Sequence, residues 1–133
     1  MDEMVDRTDR ASGSVLVVDD EPQVAWVLRL SLEHEGYRTH TASNGVEALE
    51  ELEKHHPNLM VLDLMMPEMD GWSVLKEMTK LPDGQRPRVV IVSALTGPDD
   101  KEKATALGAD AFVPKPFDVE ELIGVLGGLG KAS

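Results

Sequence analysis

Val61-Leu62-Asp63-Leu64-Met65-Met66-Pro67-Glu68-Met69-Asp70-Gly71 sets the frame for the whole chain. Asn58 to Leu62 is apolar after its first residue, the composition of a strand covered on both faces of a parallel sheet. Asp63 then falls at the strand's carboxyl end, where open α/β sheets place their chemistry. Pro67 and Gly71 end the strand and bend the chain towards a helix. A lone Asp in such a place is ordinarily a helix cap or a loop residue. Its standing depends on what the other strands bring beside it.

Upstream, Val15-Leu16-Val17-Val18 is a second buried strand, ending directly in Asp19-Asp20-Glu21. Pro22 suits the first turn of the next helix, where its missing N–H costs nothing. That helix carries Val24, Val27, Leu28 and Leu32 at helical spacing and stops at Gly36. Tyr37 to Ala42 alternates with polar residues, as near a sheet edge. Asn44 can cap a helix with Val46, Leu49 and Leu52, closed off by Pro57.

Downstream, Trp72, Val74, Leu75 and Met78 line a helix, and Leu81 to Pro87 is a turn-rich connection. Arg88-Val89-Val90-Ile91-Val92 is a fourth strand, ending in Ser93-Ala94. The helix from about Pro98 to Leu107 opens on Asp99 and Asp100, favourable at a positive helix N-terminus. Its apolar content is little more than Ala104, Ala106 and Leu107, so it should be weakly anchored. Ala109 to Val113 is the fifth strand, followed by Pro114-Lys115-Pro116-Phe117. Asp118 begins a last helix, with Glu121 placed as in a capping box and Val119, Leu122, Ile123, Leu126 and Leu129 on its apolar face. From Gly127 to Ser133 the chain is expected to loosen. Residues 1–13 read as a mobile lead-in, 14–130 as one domain and 131–133 as a tail.

Five β-then-α units make a doubly wound parallel sheet with helices on both faces and right-handed crossovers. Every strand's carboxyl end then points to one edge, which gathers Asp19, Asp20, Asp63, Ser93 and Lys115. With 133 residues, 41% of them hydrophobic, the chain can bury a real core. It has no cysteine, hence no disulfide or thiolate metal site. No run approaches the roughly 18 apolar residues of a membrane span and no signal peptide is evident, which suggests a cytoplasmic protein without membrane contact. A formal charge of −12 argues against direct nucleic-acid binding, although most of the 25 acidic side chains simply confer solubility.

Carboxylates brought together on one edge repel by about 4 kcal/mol per close pair at a surface-like dielectric. Lys115 supplies one positive charge. A hard divalent cation bound through oxygens is the natural second, and Mg²⁺ fits because it keeps waters and takes few carboxylates. A cation, an ammonium, a hydroxyl and an acceptor carboxylate together suit a phosphoryl group. Asp63 would receive it as an acyl phosphate, Lys115 and the cation would neutralise the transferring oxygens, and Ser93 would hydrogen-bond one of them.

Val17-Val18-Asp19-Asp20-Glu21, Asp63 to Gly71, Ser93-Ala94 and Lys115-Pro116-Phe117 occur in the order and spacing of a known family. From about Ser14 to Leu129 the chain resembles the receiver domain of bacterial response regulators. The resemblance implies a flavodoxin-like fold with strand order 2-1-3-4-5. It also implies phosphorylation by a sensor histidine kinase or a histidine phosphotransfer protein. It makes Asp63 the phosphoacceptor, with Asp20, Asp63 and the Met65 carbonyl on Mg²⁺ and Asp19 acting through water. Ser93 and Phe112 match the family's switch pair, and Pro116 its cis-proline. The face of the fourth helix, fifth strand and last helix would change on phosphorylation and bind a downstream protein or output domain.

Each assignment has a plainer rival. Asp19-Asp20-Glu21 could merely complement a helix N-terminus, Ser93 could be a cap, and Lys115 a solvated lysine, although two flanking prolines fix its backbone. Phe112 is core by default, and its switch role comes from the family match. Trp26, Trp72 and the seven Met read as packing, and His34, His40, His55 and His56 as surface away from the site. Met65 and Leu95 are apolar where the family tunes attack by water, which predicts slow self-dephosphorylation. Thr96-Gly97-Pro98 offers a flexible joint. No basic residue lies between Lys115 and Lys131, which disfavours a charge-paired dimer and leaves a monomer or weak homodimer, either stand-alone or part of a longer regulator. A haloacid-dehalogenase-like phosphatase would want an acid at position 65, and a flavin binder a phosphate loop free of Asp19 and Asp20.

Overall fold

Apolar β-branched runs form the centre of the molecule. The computed structural model describes residues 13–66, 69–94 and 97–132. Strands β1 (Ser14–Val18), β2 (Arg38–Ala42), β3 (Leu59–Asp63), β4 (Arg88–Ser93) and β5 (Ala111–Pro114) pair in parallel in the order β2-β1-β3-β4-β5. The three middle strands are buried almost throughout, which accounts for their unbroken apolar sequence. Helices α1 (Pro22–His34), α2 (Gly45–His55), α3 (Gly71–Met78), α4 (Pro98–Ala106) and α5 (Val119–Ala132) follow the strands in turn. Among the described residues, no helix is long and apolar enough to cross a membrane.

The alternation of the strands sends side chains to two cores. Val15, Val17, Val61, Val90 and Val92 pack with Leu28 and Leu32 of α1 and Leu122 and Leu126 of α5. Leu16, Val18, Met60, Leu62 and Ile91 pack on the other face with Ala48 and Leu52 of α2, Val74, Leu75 and Met78 of α3, and Ala104 of α4. Asn44 caps α2, accepting the Glu47 N–H at 2.9 Å, and Asp70 caps α3, accepting the Ser73 N–H at 3.0 Å. Pro22 opens α1, and Gly36 after it takes a φ of 105°.

Several sequence expectations shift. Val27 and Val46 are exposed, because the buried stripes run through Leu28 and Leu32 on α1 and through Gly45, Ala48 and Leu52 on α2. Trp26 is 57% exposed and does not serve as packing. The last helix runs on through Gly127, Gly128 and Gly130 instead of loosening, since the fully buried Leu122 and Leu126 hold it against the sheet and outweigh about 1 kcal/mol of lost propensity per glycine. Of α4, Ala104 alone is buried, in keeping with weak anchoring. The expected lead-in up to residue 12, the strand-ending Pro67, the apolar Leu95 expected to hinder water, and Thr96 of the expected joint lie outside the described residues.

Gly71 marks a close approach of backbone to backbone. A Cβ there would stand 2.5 Å from the Asp63 carbonyl oxygen and 2.7 Å from the Leu64 Cα. Its N–H donates to the Leu64 carbonyl at 3.1 Å, so the start of α3 is wedged against the end of β3. Gly71→Ala is therefore expected to destabilise the domain by about 1–3 kcal/mol, the cost of overpacking against backbone that cannot yield. Equilibrium urea unfolding checks it.

Candidate functional site

Parallel pairing puts the carboxyl ends of β1, β3, β4 and β5 side by side. Asp63 closes β3, Ser93 closes β4, and Asp19 follows β1 with its N–H held by the Ala42 carbonyl at 3.1 Å. Lys115 follows β5, its N–H donating to the Ser93 carbonyl at 2.8 Å, and the Lys115–Pro116 bond is cis. The edge assembled here is the one the sequence indicates.

Lys115 is the hub. Its Nζ lies 3.2 Å from Asp19 Oδ2, 3.2 Å from Asp63 Oδ2 and 3.3 Å from Glu21 Oε1. The other carboxylate oxygens take backbone donors, Asp19 Oδ1 from Glu21 N at 2.9 Å and Asp63 Oδ1 from Met65 N at 3.1 Å. Both aspartates are 4% exposed. Asp20 is exposed, and it offers a carboxylate oxygen within 4.8 Å of those of Asp19 and Asp63. An all-oxygen set of this kind could hold a hard divalent cation. Glu21 is a partner that sequence reasoning left in a helix-terminal role, though its place beside Asp19 and Asp20 was the available signal.

The electrostatics follow from the crowding. Burial raises the Asp19 carboxyl above its ordinary pKa, as does nearby Asp63, against the Glu21 N–H and Lys115. Burial alone would depress the Lys115 ammonium, but Asp19 and Asp63 more than reverse this and hold it above its usual range.

Ser93 is fully buried. Phe112 is half-buried and pairs in register with Ile91, whose side of the sheet Ser93 shares, so both members of the expected switch pair face the side where α4 packs. The Lys101 ammonium of α4 stands 5.8 Å from the Phe112 ring centre. Met65 follows Asp63 with its side chain 57% exposed, so it too is not packing. Of the histidines, His34 and His56 are exposed as expected, but His40 and His55 are half-buried and stacked on each other with ring centres 3.7 Å apart.

The profile of a family described as the response regulator receiver domain matches residues 15–126. The chain belongs to that family. It is a signalling module of two-component systems. KdpE of Mycobacterium tuberculosis, a transcriptional regulatory protein, is 41% identical over 109 residues, 82% of this chain and 47% of that protein. The probable transcriptional regulator ycf27 of Cyanophora paradoxa is 42% identical over 81% of this chain and 44% of its own length. The chain therefore spans about half the length of these curated relatives. The receiver domain of the Francisella response regulator 1452 superposes with a TM-score of 0.83 at 34% identity, covering 90% of this chain and 98% of that one. CheY4, a chemotaxis protein of Vibrio cholerae, gives 0.82 at 29% identity, covering 90% and 99%.

A carboxyl with a raised folded-state pKa costs stability while ionised, and the cost is relieved as pH falls through that pKa. Lys115, whose pKa is also raised on folding, has the same sign in an alkaline window: its contribution is complete below the ordinary lysine pKa and lost as pH rises through the folded value. Without divalent cations at pH 7, Asp19→Asn should thus raise the melting temperature by about 3–5 °C, roughly 1 kcal/mol in a domain of this size. Thermal unfolding followed by circular dichroism reads the shift.

Proposed function

We propose that this receiver domain is a phosphoacceptor switch in which Asp63 takes a phosphoryl group from a phosphohistidine of a sensor kinase or phosphotransfer protein. The observation that carries the reading is one ammonium, Lys115, within 3.2 Å of both Asp19 and Asp63 at an edge where Asp20 adds a third carboxylate. An Asp63 carboxylate oxygen attacks phosphorus, the P–N bond of the donor breaks, and the imidazole leaves with the electron pair. Asp20, Asp63 and the Met65 carbonyl would hold Mg²⁺, with Asp19 acting through water. Bound there, the ion supplies charge neutralisation for the phosphoryl oxygens. Lys115 does the same from the β5 side, at the cost of loosening its contact with Asp63.

A recess of about 560 Å³, lined by Val24, Val27 and Leu28 of α1 and by Pro116, Phe117 and Val119, opens beside Lys115. It offers a donor protein apolar surface next to the acceptor. Ser93 would turn towards the bound phosphoryl group, and Phe112 would shift with α4 on the same face of the sheet. The changed α4–β5–α5 surface would engage a downstream protein or an output domain. The module is a cytoplasmic signalling component, monomeric or a weak homodimer, whose own chemistry is limited to slow gain and loss of one phosphoryl group.

Incubation with acetyl phosphate and Mg²⁺ should add one phosphoryl group by intact mass spectrometry and alter Trp72 fluorescence. Asp63→Ala should abolish both, and chelation of Mg²⁺ should prevent the gain. An equal mass gain in Asp63→Ala would refute the assignment.

The lifetime of the phosphoprotein provides a separate check. With an apolar Met65 two residues after Asp63, no side chain at that position can orient an attacking water, so decay should be slow. Met65→Asn is expected to speed the loss of phosphate roughly tenfold or more, a modest part of what a positioned polar group can contribute.

A further inference from the structure

A second group of side chains, unused by the carboxyl-edge cluster, lies between β2 and the C-terminal end of α2. His40 lies in the middle of β2, paired in register with Leu16, on the side of the sheet that Ala42 shares with α2. Glu51 and His55 are one helical turn apart near the end of α2, which places them on one face of the helix. The fold brings the three together. The His40 and His55 rings stack 11° from parallel, and His55 Nε2 lies 3.4 Å from Glu51 Oε1. One ligand atom from each residue falls within 4.8 Å of the other two, and all three residues are half-buried.

We propose that His40, Glu51 and His55 bind one Zn²⁺ ion, clipping α2 to the edge strand β2. Two imidazole nitrogens and a carboxylate oxygen form a mixed set that suits zinc, whereas Mg²⁺ prefers oxygen alone, so this site and the acidic edge select different ions. Zinc needs its nitrogen and oxygen ligands at about 2.0–2.2 Å. Imidazole lone pairs lie in the ring planes, so binding breaks the stack: rotation about the side-chain torsions turns the two rings to converge on one point, which their half-buried positions permit. A water fills the fourth position.

The local charges agree with this geometry. Burial, then the neighbouring His55, then Arg38 and Lys54 weaken the hold of His40 on a proton, against the opposing pull of Glu51. Neutral imidazole is the form that ligates. The ion also has mechanical work available, because β2 is bonded to the sheet on one side only, through β1.

The test is calorimetric titration of the full chain with zinc chloride in the presence of saturating Mg²⁺. An Asp20→Asn background weakens competition from the acidic edge. One zinc should bind, and His40→Ala or His55→Gln should weaken it roughly tenfold or more, the loss seen when even the supporting partners of a metal ligand are removed. Circular dichroism of each variant confirms that it is folded. In NMR spectra of the wild type, zinc should move the imidazole resonances of His40 and His55 and leave those of His34 and His56 in place. Failure of the wild type to take up zinc at micromolar concentration overturns the proposal. So do undiminished affinity in the folded variants and equal shifts of all four histidines.

Discussion

The ammonium of Lys115 is the contact on which this arrangement depends. It lies 3.2 Å from carboxylates on the ends of two different strands, Asp19 after β1 and Asp63 at the end of β3, with Glu21 a third acid at 3.3 Å. Without it, two nearly buried anions would face each other across neighbouring strands at a cost of about 4 kcal/mol even in a surface-like dielectric. One cation cannot balance Asp19, Asp20, Glu21 and Asp63. The edge is left short of positive charge, and that shortage is what draws in a divalent ion and a partner's phosphoryl group in the reading proposed above.

Position comes from the sheet, and chemistry from the few residues at its edge. Parallel strands with crossovers of one hand deliver Asp19, Asp63, Ser93 and Lys115 to a single rim, although they are up to 96 residues apart in sequence. Each buried aspartate divides its two oxygens between a backbone N–H and the lysine. Both carboxylates are therefore oriented before anything binds, which lowers the entropy lost on engaging a ligand.

The frame was legible in the sequence because it rests on short-range patterns. Val15 to Val18, Leu59 to Leu62 and Val89 to Val92 could be little other than covered strands, and the acids and lysine at their ends followed from topology. Side-chain partnership across elements was much less legible. Val27, Val46 and Trp26 are apolar at plausible helical positions, yet they face outward because α1 and α2 are rotated to bury Leu28, Leu32, Ala48 and Leu52. The glycines of α5 looked like an unravelling end until packing of Leu122 and Leu126 overruled propensity. His40 and His55 are 15 residues apart, on elements whose mutual register no local signal encodes, so their stacking became visible only in three dimensions.

The bare Cα of Gly71 gives the molecule a stiff flank and a yielding one. With α3 seated directly on the backbone around Asp63, and the Gly45 N–H tied to the Met69 carbonyl at 3.0 Å, that side of the rim has no slack to take up a disturbance. On the other side α4 is moored by one buried alanine and by two lysines resting over aromatic rings, Lys101 at Phe112 and Lys103 at Trp72. A push applied at the rim meets a wall in one direction and a hinged door in the other. The course of any rearrangement is thereby set by where the protein is hardest to compress.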